Sequence, residues 1–478
     1  QGCPLSPLLF IIAYDPLLSR ISTLPGISPY AFADDLALTA ATVEIISPAL
    51  LLISEFSELS GLGINRDKSC VISSAPSSTH TSLRTSLLAC PWPLLPLRPI
   101  TTHLGIPIGR DVTLENIFEV PYSKALSRLA TTKPVVSKLS VLNRILFVNV
   151  FIISLFSYHA LFFVIPKEIL DSIRHLTHTL VAPFHGGAYT YGSLVCLDSA
   201  FSIRPPLKDL WAFNVSLLAA RSPLISSTAN YYDLPSVSIR TSKFIHDHRD
   251  CAAVDFWRDR HIEGGSLTPL IQSTSPHIYK AIVNDVFLPE ALENLGLKIS
   301  SYLTINSPLP PPPAPVCISS ITKALTSSTR SVPRSFLFHH FAFVNNALAT
   351  SRRMRHQNNL SISAVAPCAY CNLSQDSIPH MFVSCPVVYY ARFFFFSNIG
   401  SLPLLLSLFP SHSAPFSSLH TFPLAFSYCI NIPIPLIPSL LSFNYAIWRY
   451  REPASCTHSE KDNDWRANRL ADLAHTLF

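Results

Sequence analysis

The chain has 478 residues, 48% of them hydrophobic and only 13% charged, with 41 prolines, 13 glycines and two methionines; this excludes charge-driven disorder and a disulfide-stapled mini-protein. Its 35 basic and 29 acidic residues leave a formal charge of +6, which permits a nucleic-acid partner without demanding one. Eleven cysteines are too sparse for a disulfide scaffold, and no basic n-region followed by an apolar run opens the chain, so a reducing nuclear or cytoplasmic setting is expected, not secretion.

Both methionines, Met354 and Met381, are internal, and the chain opens at Gln1. It therefore reads as part of a longer protein. Leu5 to Ile21 is apolar at helical spacing through Leu8, Leu9, Ile12 and Leu17, with Pro7 and Pro16 as interruptions. Two β-prone runs, Ser28–Phe32 and Leu36–Thr39, flank Ala33-Asp34-Asp35 and predict a hairpin. Ser47 before Pro48 predicts the start of a helix that carries Leu50, Ile53, Phe56 and Leu59 on one face and stops at Gly61. A short strand is expected around Lys68–Ser73, then a Ser/Pro loop over 74–102. Leu104 to Gly109 reads as a short strand with turn residues.

From Tyr122 to about Ala182 the pattern is helical, divided at Pro166. Ile145 to Ile165 holds no charged residue and is long enough to span a bilayer. It contains Asn149 and His159, and Arg144 and Lys167 close its ends, so a buried helix is expected and no membrane. A further helix is expected over Leu207–Arg221. Pro308, Pro310 to Pro313 and Pro315 form a polyproline-like linker. Between Phe393 and Ile447, recurrent prolines predict broken, short helices.

Chemistry concentrates in two places. In Tyr30-Ala31-Phe32-Ala33-Asp34-Asp35, adjacent carboxylates between apolar strands are costly unless paired or metal-bound. Oxygen ligands suit Mg²⁺, and two such ions can activate a 3′-hydroxyl and stabilise leaving pyrophosphate. Neighbouring strand residues face opposite ways, so one Asp should be the main ligand. An ordinary solvated turn is the alternative. In Cys368-x2-Cys371-x8-His380-x4-Cys385, three thiolates and an imidazole can complete a tetrahedral Zn²⁺ site; free cysteines in a small core are the alternative. Arg352, Arg353 and Arg355 make a basic cluster that suits phosphate contacts or a solvated helix end. Arg144, with Lys124, Arg128, Lys133 and Lys138, suits either a duplex channel or a plain helix surface.

Four segments stand in order: Gln1-Gly2-Cys3-Pro4-Leu5-Ser6-Pro7, the Asp34-Asp35 hairpin, Ser60-Gly61-Leu62-Gly63-Ile64-Asn65 with Lys68-Ser69, and His103-Leu104-Gly105-Ile106-Pro107. On these the chain resembles the reverse transcriptase of non-LTR (LINE-like) retrotransposons over residues 1–110. A weaker likeness runs on through Asn143-Arg144 and Tyr158. The resemblance implies an α+β fold: a partial polymerase palm of antiparallel sheet and helices (1–120), thumb-like helices (121–185), a helical connection (186–307), the Pro-rich linker (308–319), a zinc-binding module (320–390) and a weakly specified tail (391–478).

It also implies roles. Gln1, Gly2, Pro4 and Phe32 lie beside nucleotide and template. Asp34 and Asp35 hold catalytic Mg²⁺, with Asp34 the principal ligand, and Lys68 protonates pyrophosphate. Leu104, Gly105 and Ile106 match the primer-grip hairpin, whose backbone positions the primer end. Cys368, Cys371, His380 and Cys385 match a zinc segment found downstream of such polymerases. Implied partners are an RNA template, a DNA primer or target, and dNTPs. The family's first catalytic aspartate and its fingers would lie upstream of Gln1, so this chain alone is expected not to polymerise. The alternative is a nucleic-acid-binding remnant with a Cys3His zinc segment and no catalysis.

Overall fold

The computed structural model describes residues 4–65, 67–74, 80–88, 95–182, 189–227, 275–294, 334–344, 348, 367–368, 370–371, 380–398, 436–449 and 470–471. The chain divides into two compact units, Gln1–Glu119 and Val120–Phe478. Gln1, Gly2, the Pro-rich linker and the Arg352–Arg355 cluster lie outside the described residues.

The first unit opens with α1 (Ser6–Ser22) and the hairpin of β1 (Ile27–Phe32) and β2 (Asp35–Ala40). Next come α2 (Val43–Ser60), β3 (Val71–Ile72), α3 (His80–Leu88), β4 (Leu97–Arg98), β5 (Ile100–His103) and β6 (Ile106–Gly109). Its core gathers Leu17 and Ile21 of α1, Ile27 of β1, Val43, Ala49, Leu50 and Ile53 of α2, and Leu87 of α3. Of the face expected on α1, only Leu17 is buried; Leu8, Leu9 and Ile12 are exposed.

Several local readings are corrected. The helix expected from Ser47 begins at Val43, with extended Thr42 before it, and Pro48 sits inside it. Val43 is buried, and Ile45 and Ile46 pack on the core. That apolar contact outweighs the hydrogen bond Pro48 removes. Leu59 is 81% exposed, so the expected face ends at Phe56. Gly61 does close α2, at φ 72° in the left-handed region that favours glycine. Residues 80–88, read as loop, form α3. Among the described residues the strands pair two by two and not as one palm sheet: β1–β2 and β5–β6 are antiparallel, and β3–β4 is parallel.

The strand and turn residues expected over 104–109 are the second half of a hairpin: His103 pairs with Ile106, and Leu104 and Gly105 turn at φ 49° and 80°. Two positive φ values in a two-residue loop match the twist of the flanking strands. A Cβ on Gly109 would stand 2.3 Å from the Pro99 carbonyl oxygen, so only glycine fits there.

Helix α4 (Leu114–Val136) crosses from the first unit into the second. At its start the Thr113 amide donates to Asn116 Oδ1 at 3.1 Å and the Asn116 amide to Thr113 Oγ1 at 3.4 Å, a reciprocal cap. The second unit continues with α5 (Val141–Phe147), a π turn (Val148–Ile152), a 3-10 turn (Ile153–Phe156), α6 (Ser157–Ala160) and α7 (Lys167–Val181). Then follow α8 (Tyr191–Val195), α9 (Leu197–Phe201), α10 (Leu210–Ser227) and α11 (Ser275–Ile282). The helix expected over Leu207–Arg221 is α10, three residues later at its start.

Val141–Ala160 is the one described segment long and apolar enough to cross a membrane, and 39% of it is buried within the protein. Ile145, Val148, Ile152, Ile153, Phe156 and Ala160 face inward, while Leu146, Val150 and Phe151 are half exposed.

Buried polar side chains tie these helices together. Asn214 accepts from the Ile165 amide at 3.0 Å and donates to the Ala160 and Phe163 carbonyls at 2.9 and 3.0 Å. Asp209, 1% exposed, takes the Ala212 amide at 2.8 Å and, at 3.1 Å each, the Arg174 guanidinium and the Tyr191 hydroxyl. Every lone pair so used offsets part of the cost of burying the carboxylate.

Three further helices gather at the thiolate cluster: α12 (Arg334–Val344), α13 (Pro386–Asn398) and α14 (Leu436–Arg449). Phe382, Phe395 and Phe443 are fully buried there, while Phe341 of α12 stacks on Tyr189 at 5.0 Å. Helix α14, 14 residues long, is one of the short helices expected between Phe393 and Ile447; residues 399–435 lie outside the described residues. Its Pro438 falls in the first turn, where the missing N–H has no helical partner.

Candidate functional site

The first candidate site is the β1–β2 hairpin. Phe32 pairs with Asp35, so Ala33 and Asp34 make a two-residue connection. Ala33 holds φ 52°. This throws Asp34 to the tip and leaves Asp35 as the first residue of β2. Both carboxylates are exposed, as are Ala33 and Phe32, the latter at 66%. Among the described residues, no group of three or more potential ligands includes Asp34 or Asp35.

One neighbour was not singled out in the sequence. Tyr14 of α1 stacks on Phe10 at 5.4 Å and meets Phe56 edge-on at 5.9 Å. Burial and then the Asp34 charge raise its hydroxyl pKa. The signal available was the Phe10/Tyr14 pair at helical i, i+4 spacing.

Other expected site residues are dispersed over the first unit. Pro4 lies exposed just before α1. Lys68 is exposed in the turn before β3, its amide donating to Asn65 Oδ1 at 3.1 Å. Leu104 and Gly105 form the β5–β6 turn, and Ile106 opens β6.

Arg144 is the clear correction. It is buried and donates to the carbonyls of Leu139 at 2.9 Å, Val181 at 3.3 Å, and Ser137. A guanidinium so engaged closes helix ends and does not face a phosphate. Lys124 and Arg128 remain exposed, four residues apart on α4.

The second candidate site is the Cys3His cluster. The ligand atoms of Cys368, Cys371, His380 and Cys385 all lie within 4.8 Å of one another. Cys368 Sγ and Cys385 Sγ are 3.9 Å apart, and Cys371 Sγ is 3.1 Å from His380 Nε2. A tetrahedron with Zn–S bonds of ~2.3 Å has S···S edges of roughly 3.8 Å, so the donor set fits zinc. The three cysteines are buried and His380 is half-buried.

Local structure explains the clustering. His380–Ser384 is a π turn, closed by the Cys385 amide on the His380 carbonyl at 2.8 Å. Five residues then span one turn, which sets His380 and Cys385 on one side. Cys385 immediately precedes α13, and the Val388 amide donates to its sulfur. The Tyr370 hydroxyl donates to the Ile447 carbonyl, fixing the Cys368–Cys371 turn against α14. Crowded donors displace the proton affinities. Hydrogen bonding from Cys385 pulls the Cys368 thiol down to about 4. The hydrogen bond with Cys368 pushes His380 up to about 9, and the same neighbours drive the Cys385 thiol upward.

Residues 1–92 match the family described as "Reverse transcriptase (RNA-dependent DNA polymerase)". Within the chain, 86 residues are 37% identical to the Retrovirus-related Pol polyprotein from type-1 retrotransposable element R2 of Popillia japonica. Over residues 1–92 the chain is similar to reverse transcriptases, and that relative comes from a non-LTR element. The aligned stretch is 16% of this chain and 12% of that relative. The reverse-transcriptase segment contains α1, the Asp34–Asp35 hairpin, α2 and α3. The β5–β6 hairpin, the helical region and the Cys3His cluster lie beyond the matched residues.

Proposed function

We propose that the chain is part of an RNA-directed DNA polymerase of a retrotransposon. It adds dNTPs to a primer 3′-hydroxyl on an RNA template and works in a nuclear or cytoplasmic setting. The observation that carries this is the pair Asp34 and Asp35 at the tip of a hairpin inside the reverse-transcriptase segment. Two exposed carboxylates with hard oxygen donors fit Mg²⁺. When bound, the ions supply charge stabilisation of the transferring phosphoryl group. Asp34, at the tip, is the principal ligand and Asp35 the secondary one. Phe32 and Pro4 offer exposed surface to nucleotide and template. Lys68 donates a proton to pyrophosphate, and the Leu104–Ile106 turn supports the primer end through its backbone.

Two carboxylates from one hairpin are too few to hold a metal pair, so transfer requires a further carboxylate from outside the described residues. Purified chain with RNA template, DNA primer and Mg²⁺ or Mn²⁺ is expected to show no primer extension; robust incorporation would overturn this. Supplied in trans with an upstream fingers and palm segment of a related element, it is expected to extend primer. Asp34→Asn should then cut extension by at least about 100-fold while leaving RNA binding intact. A second reading, a nucleic-acid-binding remnant without catalysis, is favoured by the Cys3His cluster outside the matched segment. It would be supported by RNA binding that persists while the complemented chain stays silent. The cluster itself we read as a structural Zn²⁺ site.

A further inference from the structure

Arg392, on α13, is 1% exposed and is among the largest fully buried side chains. A guanidinium is costly to bury unless an opposite charge and hydrogen bonds compensate it. Its Nη2 donates to the Phe382 carbonyl at 2.6 Å, and its Cζ lies 5.8 Å from the Phe443 ring centre. Phe382 sits in the π turn between the ligands His380 and Cys385. Cys385, one of those ligands, closes the same turn through its amide on the His380 carbonyl at 2.8 Å. A guanidinium keeps its proton at neutral pH even when buried.

A Zn²⁺ ion with three thiolates and a neutral imidazole carries one negative charge. In a buried site that charge is itself costly unless matched. We propose that Arg392 is the counter-charge and positioning residue of this tris-thiolate centre: it neutralises the loaded cluster and holds the His380–Cys385 turn through the Phe382 carbonyl. The inference rests on the zinc reading of the cluster. The groups that orient and balance metal ligands commonly set affinity by ~10–100-fold.

The test compares zinc affinity of the full chain, by competition with a chromophoric chelator, for wild type, Arg392→Gln and Arg392→Lys. Arg392→Gln keeps a donor for the Phe382 carbonyl but removes the charge, and is expected to weaken zinc binding by about 10–100-fold. Arg392→Lys keeps the charge and is expected to stay within about threefold of wild type. Equal affinity in Arg392→Gln and wild type, or equal losses in both variants, would overturn the proposal. If Arg392→Gln does not fold, Arg392→Lys decides: a tenfold or greater loss sinks the idea, and retention supports it. Wild-type chain that takes up no zinc would instead overturn the zinc reading itself.

Discussion

At Arg144 a charge beside a predicted nucleic-acid channel turns out to be a structural clasp, closing carbonyls from Ser137, Leu139 and Val181. A one-dimensional pattern gives the residue type but not which side of a helix faces a neighbouring helix end. Arg144→Gln removes the fork that reaches all three carbonyls, and should destabilise the second unit by about 3 kcal/mol. The same change should leave the salt dependence of RNA binding as in wild type, whereas Lys124→Ala lowers its slope if Lys124 meets a phosphate. Thermal unfolding and binding titrations across salt concentrations check both. Asp34 and Asp35 were legible because their chemistry is carried by adjacency. Tyr14 was not, because its nearness to Asp34 arises from packing of α1 against the hairpin.

Among the elements, α2 shows how packing overrides a punctuation signal. Ser47-Pro48 has the form of a helix start, yet Val43, Ile45 and Ile46 reach the core and draw the helix back by four residues. Pro48 is therefore an interior proline on an exposed face. Pro48→Ala restores the hydrogen bond to the Glu44 carbonyl and should stabilise the first unit by ~1–3 kcal/mol. Denaturant unfolding would show it as a raised midpoint with an unchanged slope. The β5–β6 turn was legible only in part, because Leu104, not a glycine, takes the first positive φ. Residues 80–88 read as loop in sequence because their short helix shows little apolar periodicity in a Ser/Thr-rich stretch. Hairpin β1–β2 and the Gly61 stop were readable because alternation and a left-handed cap are local.

At the scale of the whole molecule, proline density marked where helices are short but not where they pack. The proline-rich region beyond Phe393 holds α14, which packs on the Cys368–Cys371 turn through Tyr370 and Ile447. Zinc removal by a chelator should therefore expose both the ligand turns and Leu436–Arg449 to protease, while Gln1–Glu119 keeps its resistance. Limited proteolysis with mass mapping reads this directly. Zinc retention should also fall as pH is lowered, because the raised Cys385 thiol and the His380 imidazole must both lose protons to become ligands. A zinc content unchanged between mildly acidic and neutral buffer would contradict it. The Cys/His spacing was legible from sequence; the buried charge beside it was not, since Arg392 stands seven residues from the nearest ligand and is brought in by the turn of a helix.

The π turn at His380–Ser384 also fixes how this site tolerates changes in length. In an ordinary helix a five-residue step rotates two side chains about 140° apart, and a four-residue step only about 40°. Losing one residue between His380 and Cys385 would let the segment relax into α-helix continuous with α13, both ligands still on one side. Gaining one would swing the thiol out of reach. The site is thus open to deletion and closed to insertion.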